Sequence, residues 1–228
     1  MKFSIEKYFV VGPENTWNRP VLPIIRDAIE AGFTCIQLRS KTASAREMID
    51  LARGASDLIA SMKKEDEVTL LINDRLDVAL AAREAGAKID GVHMGQSDIP
   101  VSVCRKYLGP DAVIGLSAPT GDLTRYVREG NFKDVDYFGA GPFHETDTKK
   151  DCGLDENGNI VYRTVEEIKE LAAISPLPIT IGGGVKAEDM KALAETGVDG
   201  FFVVSAIASA EDPKAAAKEL AEKWEAAK

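Results

Sequence analysis

The residues able to do chemistry in this chain gather where short apolar runs end. One run closes as Cys35-Ile36-Gln37-Leu38-Arg39-Ser40-Lys41. Side chains of an extended strand alternate between faces, so Gln37, Arg39 and Lys41 share one face while Ile36 and Leu38 take the other. A core does not choose an unpaired arginine, whose burial is costly. The polar face therefore reads as an anion clamp at the mouth of a sheet; the alternative is a solvated strand end. Two further runs end in carboxylates, Leu71-Ile72-Asn73-Asp74-Arg75 and Gly91-Val92-His93-Met94-Gly95-Gln96-Ser97-Asp98. On neighbouring strands Asp74 and Asp98 would approach one another, and such a pair suits a hard cation such as Mg2+ that bridges to phosphate. The competing assignment bonds Asp74 to Arg75 and spends Asp98 on capping the helix opened by Pro100.

Phosphate-binding chemistry has its own candidates. Ile181-Gly182-Gly183-Gly184-Val185 allows close backbone approach to an anion, and Val203-Val204-Ser205-Ala206-Ile207 adds a hydroxyl. In the polar stretch His144-Glu145-Thr146-Asp147-Thr148-Lys149-Lys150-Asp151, threonine hydroxyls beside Lys149 could hold phosphate oxygens, and Lys149 could neutralise a departing charge. Nucleophile–base pairs are scarce, with only 2 histidines in the chain. His93 reads as a satisfied structural histidine, and Trp17, Trp224 and the methionines as packing or surface residues. Cys35, Cys104 and Cys152 are odd in number and widely spaced, which predicts reduced, mostly buried thiols.

Something must hold these strand ends together. Period-two apolar runs predict strands at Tyr8–Val11, Cys35–Leu38, Thr69–Ile72, Gly91–Met94, Val113–Leu116, Tyr137–Ala140, Pro178–Ile181 and Gly200–Val204. Amphipathic stretches alternate with them at Val21–Ala31, Ser44–Met62, Asp77–Ala85, Val101–Leu108, Leu123–Glu129, Val165–Ala173, Ala187–Glu195 and Pro213–Ala226. Strict alternation without a linker predicts a single-domain α/β fold over residues 1–228, a (β/α)8 TIM barrel. An open doubly wound sheet is the alternative, but its glycine-rich dinucleotide fingerprint is absent. In a barrel the loops after the strands build the active site, with phosphate after strands seven and eight. The excess length in residues 144–163, after strand six, reads as a binding loop or lid.

Composition narrows the partners. The 37 acidic against 28 basic residues give a net charge of −9, which argues against a nucleic-acid partner. An anionic small-molecule substrate must then be met by local cations, backbone N–H groups or a metal. Apolar runs fall short of a membrane span, and the first residues lack the apolar stretch of a signal peptide, so a cytoplasmic protein is expected. Whether the chain forms a homo-oligomer stays open.

Taken together, the blocks Gln37–Lys41, Ile72–Arg75, Gly91–Asp98, Ile114-Gly115-Leu116-Ser117, Thr146–Lys149 and Val203–Ile207 are similar to the thiamine-phosphate synthase family, in the family's order. The resemblance implies a (β/α)8 barrel that uses Mg2+ to join hydroxymethylpyrimidine diphosphate to a thiazole phosphate, giving thiamine phosphate and diphosphate. It implies that Gln37, Leu38, Arg39, Ser40, Lys41 and Asn73 hold the pyrimidine diphosphate. Asp74 and Asp98 would carry Mg2+, Ser117 would face the reacting centre, and Lys149 would reach the diphosphate. Arg39, Lys149 and Ser117 are the implied catalytic set. Thr146, Asp147 and Thr148 would line the thiazole side, and Gly184, Val204 and Ser205 would receive its phosphate.

The match has departures. His144 and Glu145 stand where the family has an aromatic residue and a proline, and Val185 follows a glycine run one residue longer than usual. The Asp74–Asp98 spacing is slightly long, and residues 153–160 are extra. Two rivals are a related thiazole tautomerase, whose acid/base histidine is replaced here by Pro142, and a non-catalytic barrel that senses a phosphorylated metabolite. The reaction of the first reading needs a leaving-group clamp and positioning more than a protein nucleophile, and the chain is rich in the former.

Overall fold

The computed structural model describes residues 3–119, 121–146, 153 and 159–228. Eight parallel strands, β1 (Lys7–Val11), β2 (Cys35–Leu38), β3 (Thr69–Asn73), β4 (Gly91–Met94), β5 (Val113–Ser117), β6 (Tyr137–Ala140), β7 (Ile179–Ile181) and β8 (Gly200–Val203), close into a barrel in sequence order. Around them lie α1 (Val21–Glu30), α2 (Ala45–Ser61), α3 (Leu76–Glu84), α4 (Val101–Leu108), α5 (Leu123–Glu129), α6 (Val165–Ile174), α7 (Met190–Ala194), the short α8 (Ser205–Ala208) and α9 (Pro213–Ala227). This is the expected single-domain (β/α)8 barrel, with most element limits within a residue or two of expectation. The stretch Ala187–Glu195 differs: a 3-10 turn at Ala187–Asp189 precedes a helix of only five residues. Among the described residues, no helix is long and apolar enough to cross a membrane.

Alternation sorts the strand side chains into two layers. Phe9, Val11, Ile36, Leu38, Leu70 and Ile72 pack outward beneath the helices. Tyr8, Val10, Cys35, Leu71, Val113 and Tyr137 fill the lumen. Local chemistry starts the helices where they are needed. Ser44 and Glu47 form a capping box on α2, while Asp122, Thr164 and Asp212 accept amides at the starts of α5, α6 and α9. At the bottom rim three aspartates pin one strand to the next. Asp90 accepts the Leu70 amide at 2.7 Å, Asp136 that of Ile114 at 2.7 Å, and Asp199 that of Ile179 at 2.8 Å.

β8 pairs with β1, and the seam is reinforced from both ends. Below, Lys7 pairs with Glu225 and Trp224 Nε1 donates to Glu6 at 3.0 Å. Above, Arg19 donates to the Ala208 carbonyl at 2.8 Å and Ser209 Oγ to that of Asn15 at 2.9 Å.

Glycine makes room for large rings in the lumen. A Cβ on Gly115 would stand 2.1 Å from Tyr137 Cζ and 2.5 Å from His93 Nδ1. Gly115→Ala should therefore lower stability by about 1–3 kcal/mol, the usual cost of overpacking. Urea unfolding checks this through a lower midpoint at unchanged slope.

Candidate active site

The strand ends open into one cavity of about 1330 Å³. Gln37 and Arg39 project into it from β2, both at most 9% exposed, whereas Leu38 is wholly buried under the helices. Leu38 can thus meet a ligand only through its backbone. The Ser40 hydroxyl is occupied in the turn to α2, where it accepts the amides of Thr42 and Ala43 at 3.2 and 2.9 Å. Among the described residues the Arg39 guanidinium has no hydrogen bond or ion pair. It is a cation facing an open cavity with no counter-ion.

Beside it the two carboxylates meet. Asp74 follows β3 in the left-handed backbone region (φ 59°), its amide bonded to the His93 carbonyl at 2.8 Å. Asp98 is held by the Gly95 amide at 2.7 Å. Neither competing assignment is observed: Arg75 forks onto Asp77 at 2.8 and 2.6 Å, and α4 begins at Pro100 without a side-chain cap. Burial opposes ionisation of Asp74, but its bonds with Lys41 (Nζ to Oδ2, 2.6 Å) and with Asp98 outweigh it and hold the carboxyl below its ordinary value. Burial, then the neighbouring Asp74, push Asp98 up. Two carboxylates in contact resist double ionisation, and the pair is drawn toward sharing a proton or a cation. Among the described residues no third carboxylate, histidine or cysteine completes a metal cluster.

Across the cavity, Gly183 and Gly184 have positive φ of 84° and 71°, and a Cβ on either would strike Pro142 or Glu145 of the loop that follows β6, here loop six, within 2.7 Å. Only glycine fits both demands. The two line the cavity with Val204 and Ser205, so the contacting turn contains Gly183 as well as the expected Gly184. Loop six is fastened there, since the amides of Phe143 and His144 bond the Gly183 carbonyl at 3.0 and 2.9 Å and His144 Nε2 meets Asp189 at 2.9 Å. Thr146 reaches the cavity, while Asp147, Thr148, Lys149 and Cys152 lie outside the described residues. Cys35 and Cys104 are free and buried, as expected.

His93 is the satisfied histidine expected, meeting Tyr137 Oη at 2.9 Å through Nδ1 and Ser117 Oγ at 3.0 Å through Nε2, and it also lines the cavity. Other cavity residues escaped the sequence reading. Trp17, 70% exposed with φ 51°, stands on the rim. Glu14 accepts the Lys41 amide at 2.7 Å, and Thr180, which lines the cavity, has among the described residues no hydrogen-bond partner for its buried Oγ1. Only β1's register with β2 and the inward parity of β4 and β7 bring these residues in.

A family model described as thiamine monophosphate synthase matches residues 7–207. A thiamine-phosphate synthase of Desulfitobacterium hafniense is 39% identical over 222 residues, 97% of this chain and 96% of its own. One from Moorella thermoacetica is 35% identical over 215 residues, 94% and 93% of the two chains. Among solved structures, the thiamine phosphate pyrophosphorylase of Pyrococcus furiosus superposes with a TM-score of 0.76 at 28% identity, covering 97% of this chain and 96% of its own.

Because Arg39 has no partner to strand among the described residues, Arg39→Met should change stability by no more than about 1 kcal/mol while weakening inorganic diphosphate binding at least ~10-fold. Thermal melts and calorimetric titration read the two effects separately. A stability loss of roughly 3–5 kcal/mol would instead reveal a buried ion pair.

Proposed function

The chain belongs to the thiamine monophosphate synthase family, and on that premise we propose that its barrel mouth joins hydroxymethylpyrimidine diphosphate to a thiazole phosphate, releasing diphosphate and forming thiamine phosphate. The observation that carries the mechanism is Arg39, a cation without a counter-ion among the described residues, in the same cavity as the Asp74–Asp98 pair. That constellation suits the departure of a diphosphate.

The pyrimidine methylene is a benzylic-type carbon. Its C–O bond can break ahead of attack, leaving a cation stabilised by the aminopyrimidine ring, which the thiazole nitrogen then captures. The protein's work is to hold both partners in line and stabilise the charge that gathers on the leaving group. Arg39 grips two diphosphate oxygens at once through its planar fork. Lys41, now on Asp74, turns to the diphosphate when that anion arrives. Lys149 reaches the same group by the family resemblance. Gln37, Asn73 and Ser117 orient the pyrimidine half.

Asp74 and Asp98 fit Mg2+: both offer hard oxygen donors, and a divalent cation would offset the burial and the neighbouring Asp74 that raise Asp98. Bound there, it would neutralise diphosphate charge, with waters and substrate oxygens completing its shell. The thiazole phosphate is assigned to the amides of Gly183 and Gly184 and the hydroxyl of Ser205, with Thr146, Asp147 and Thr148 on the thiazole side. Reduced thiols at Cys35 and Cys104 agree with a cytoplasmic setting. The tautomerase reading has no acid/base residue at Pro142, and His144 is held outward by Asp189.

The decisive assay follows diphosphate release and thiamine phosphate formation with both substrates, with and without Mg2+. Turnover should need all three components; no turnover with all three present would overturn the reading. Asp98→Ala should fold normally yet lose at least ~10²-fold in rate, about 2.7 kcal/mol of transition-state stabilisation. Equal rates in EDTA would remove the metal assignment. Ser205→Leu should raise KM for the thiazole phosphate and leave pyrimidine diphosphate binding intact, whereas an equal loss for both would defeat the two-pocket division.

A further inference from the structure

A chain of hydrogen bonds crosses the barrel lumen at the floor of the cavity. Gln37 Nε2 donates to Tyr8 Oη, Tyr8 Oη meets Tyr137 Oη at 2.8 Å, Tyr137 Oη meets His93 Nδ1 at 2.9 Å, and His93 Nε2 meets Ser117 Oγ at 3.0 Å. It runs through five strands and joins two residues of the proposed pyrimidine pocket. We propose that Tyr8, Tyr137 and His93 are positioning residues that transmit the polarity of the Gln37 amide across the lumen, so that Ser117 presents its hydroxyl proton to the pyrimidine diphosphate.

The direction follows from one end. An amide N–H can only donate, so the Tyr8 oxygen accepts. Tyr8 has a single proton and gives it to Tyr137, and Tyr137 gives its own to His93 Nδ1. The imidazole proton then resides on Nε2, because the bond made by one ring nitrogen sets the state of the other. Nε2–H donates to Ser117 Oγ, whose own proton is left for the cavity. Both phenols are wholly buried and stay protonated, burial being the first cause that raises each. Run in reverse, the chain would consume the Ser117 proton and turn only lone pairs toward a diphosphate.

Space is arranged for the same end. Gly115 admits both the Tyr137 ring and the His93 imidazole, and a Cβ on Gly139 would stand 2.9 Å from His93 Cε1. His93 and Tyr137 are held with ring centroids 5.5 Å apart, and Tyr8 meets Tyr137 edge-on at 6.0 Å. Tyr137 does not line the cavity and Tyr8 does so only at its floor, so their influence is assigned to the path through Ser117.

The inference rests on the proposed function only for the identity of the acceptor, and its first test needs no substrate. In protein labelled with [15N]histidine, only His93 and His144 give signals, and His144→Gln assigns them. Resting enzyme at mildly alkaline pH should show His93 with a protonated, pyrrole-type Nε2 and a bare, pyridine-type Nδ1. A proton on Nδ1, alone or with one on Nε2, would overturn the relay whatever the reaction. Tyr8→Phe keeps the ring and cuts the link to Gln37, so a second His93 tautomer should appear and kcat fall roughly 3- to 12-fold, the worth of one hydrogen bond, with KM for the thiazole phosphate unchanged. A single unaltered tautomer in that variant would refute the proposal. On a Ser117→Ala background Tyr8→Phe should cost nothing further, and multiplicative losses would show that the tyrosine acts by another route.

Discussion

Every inward side chain of a closed eight-stranded barrel competes for one lumen. Two tyrosines, Phe202, His93 and Gln37 share that space, which is possible because Gly115, Gly139 and Gly182 yield the positions opposite them. The trade sets the level at which the interior changes character. Below, Ile5, Cys35, Leu71 and Val113 make an apolar plug; above, hydrogen-bonding groups begin, and the cavity opens on them. The depth of the site is thus a packing property, fixed before any ligand arrives.

Electrostatics works against the global charge. A chain of net charge −9 repels a diphosphate at long range, so attraction must come from a few cations at contact distance. Among the described residues Arg39 is kept without a side-chain partner, while Lys41 is parked on Asp74 by an ion pair that is half exposed on the lysine side. Exposed pairs are worth little, so Lys41 exchanges its partner at low cost. The bottom-rim aspartates Asp90, Asp136 and Asp199 are spent on strand amides and do not compete for the cations of the mouth.

Much of this was legible in the chain itself. Gln37 and Arg39 announced themselves because polar residues at inward parity violate what a barrel core prefers, and Asp74 and Asp98 because they end adjacent strands. His93, Tyr8 and Tyr137 did not, since an aromatic residue on an apolar strand has the same pattern whether it packs or relays. Their role depends on contacts across the lumen between strands far apart in sequence, which periodicity along one strand does not carry. Leu38 and Ser40 were swept into the site by belonging to its block, yet one faces the helices and the other closes a turn. Trp17 escaped for a different reason: its place on the rim comes from a left-handed backbone after a 3-10 turn, for which the stretch Asn15-Thr16-Trp17-Asn18 gives no apolar rhythm.

The seam between β1 and β8 bears on how the molecule comes into being. The first strand of the barrel is bonded on one side to β2 and on the other to the barrel's last strand, with α9 locking the pair from below. Until that late segment emerges, β1 presents a bare edge of amides and carbonyls to any extended neighbour. Closing it joins the two most distant parts of the polypeptide, the contact with the steepest chain-entropy cost and the slowest to be found. On a nascent chain the barrel therefore cannot close before β8 has been made, however early the other seven strands are available.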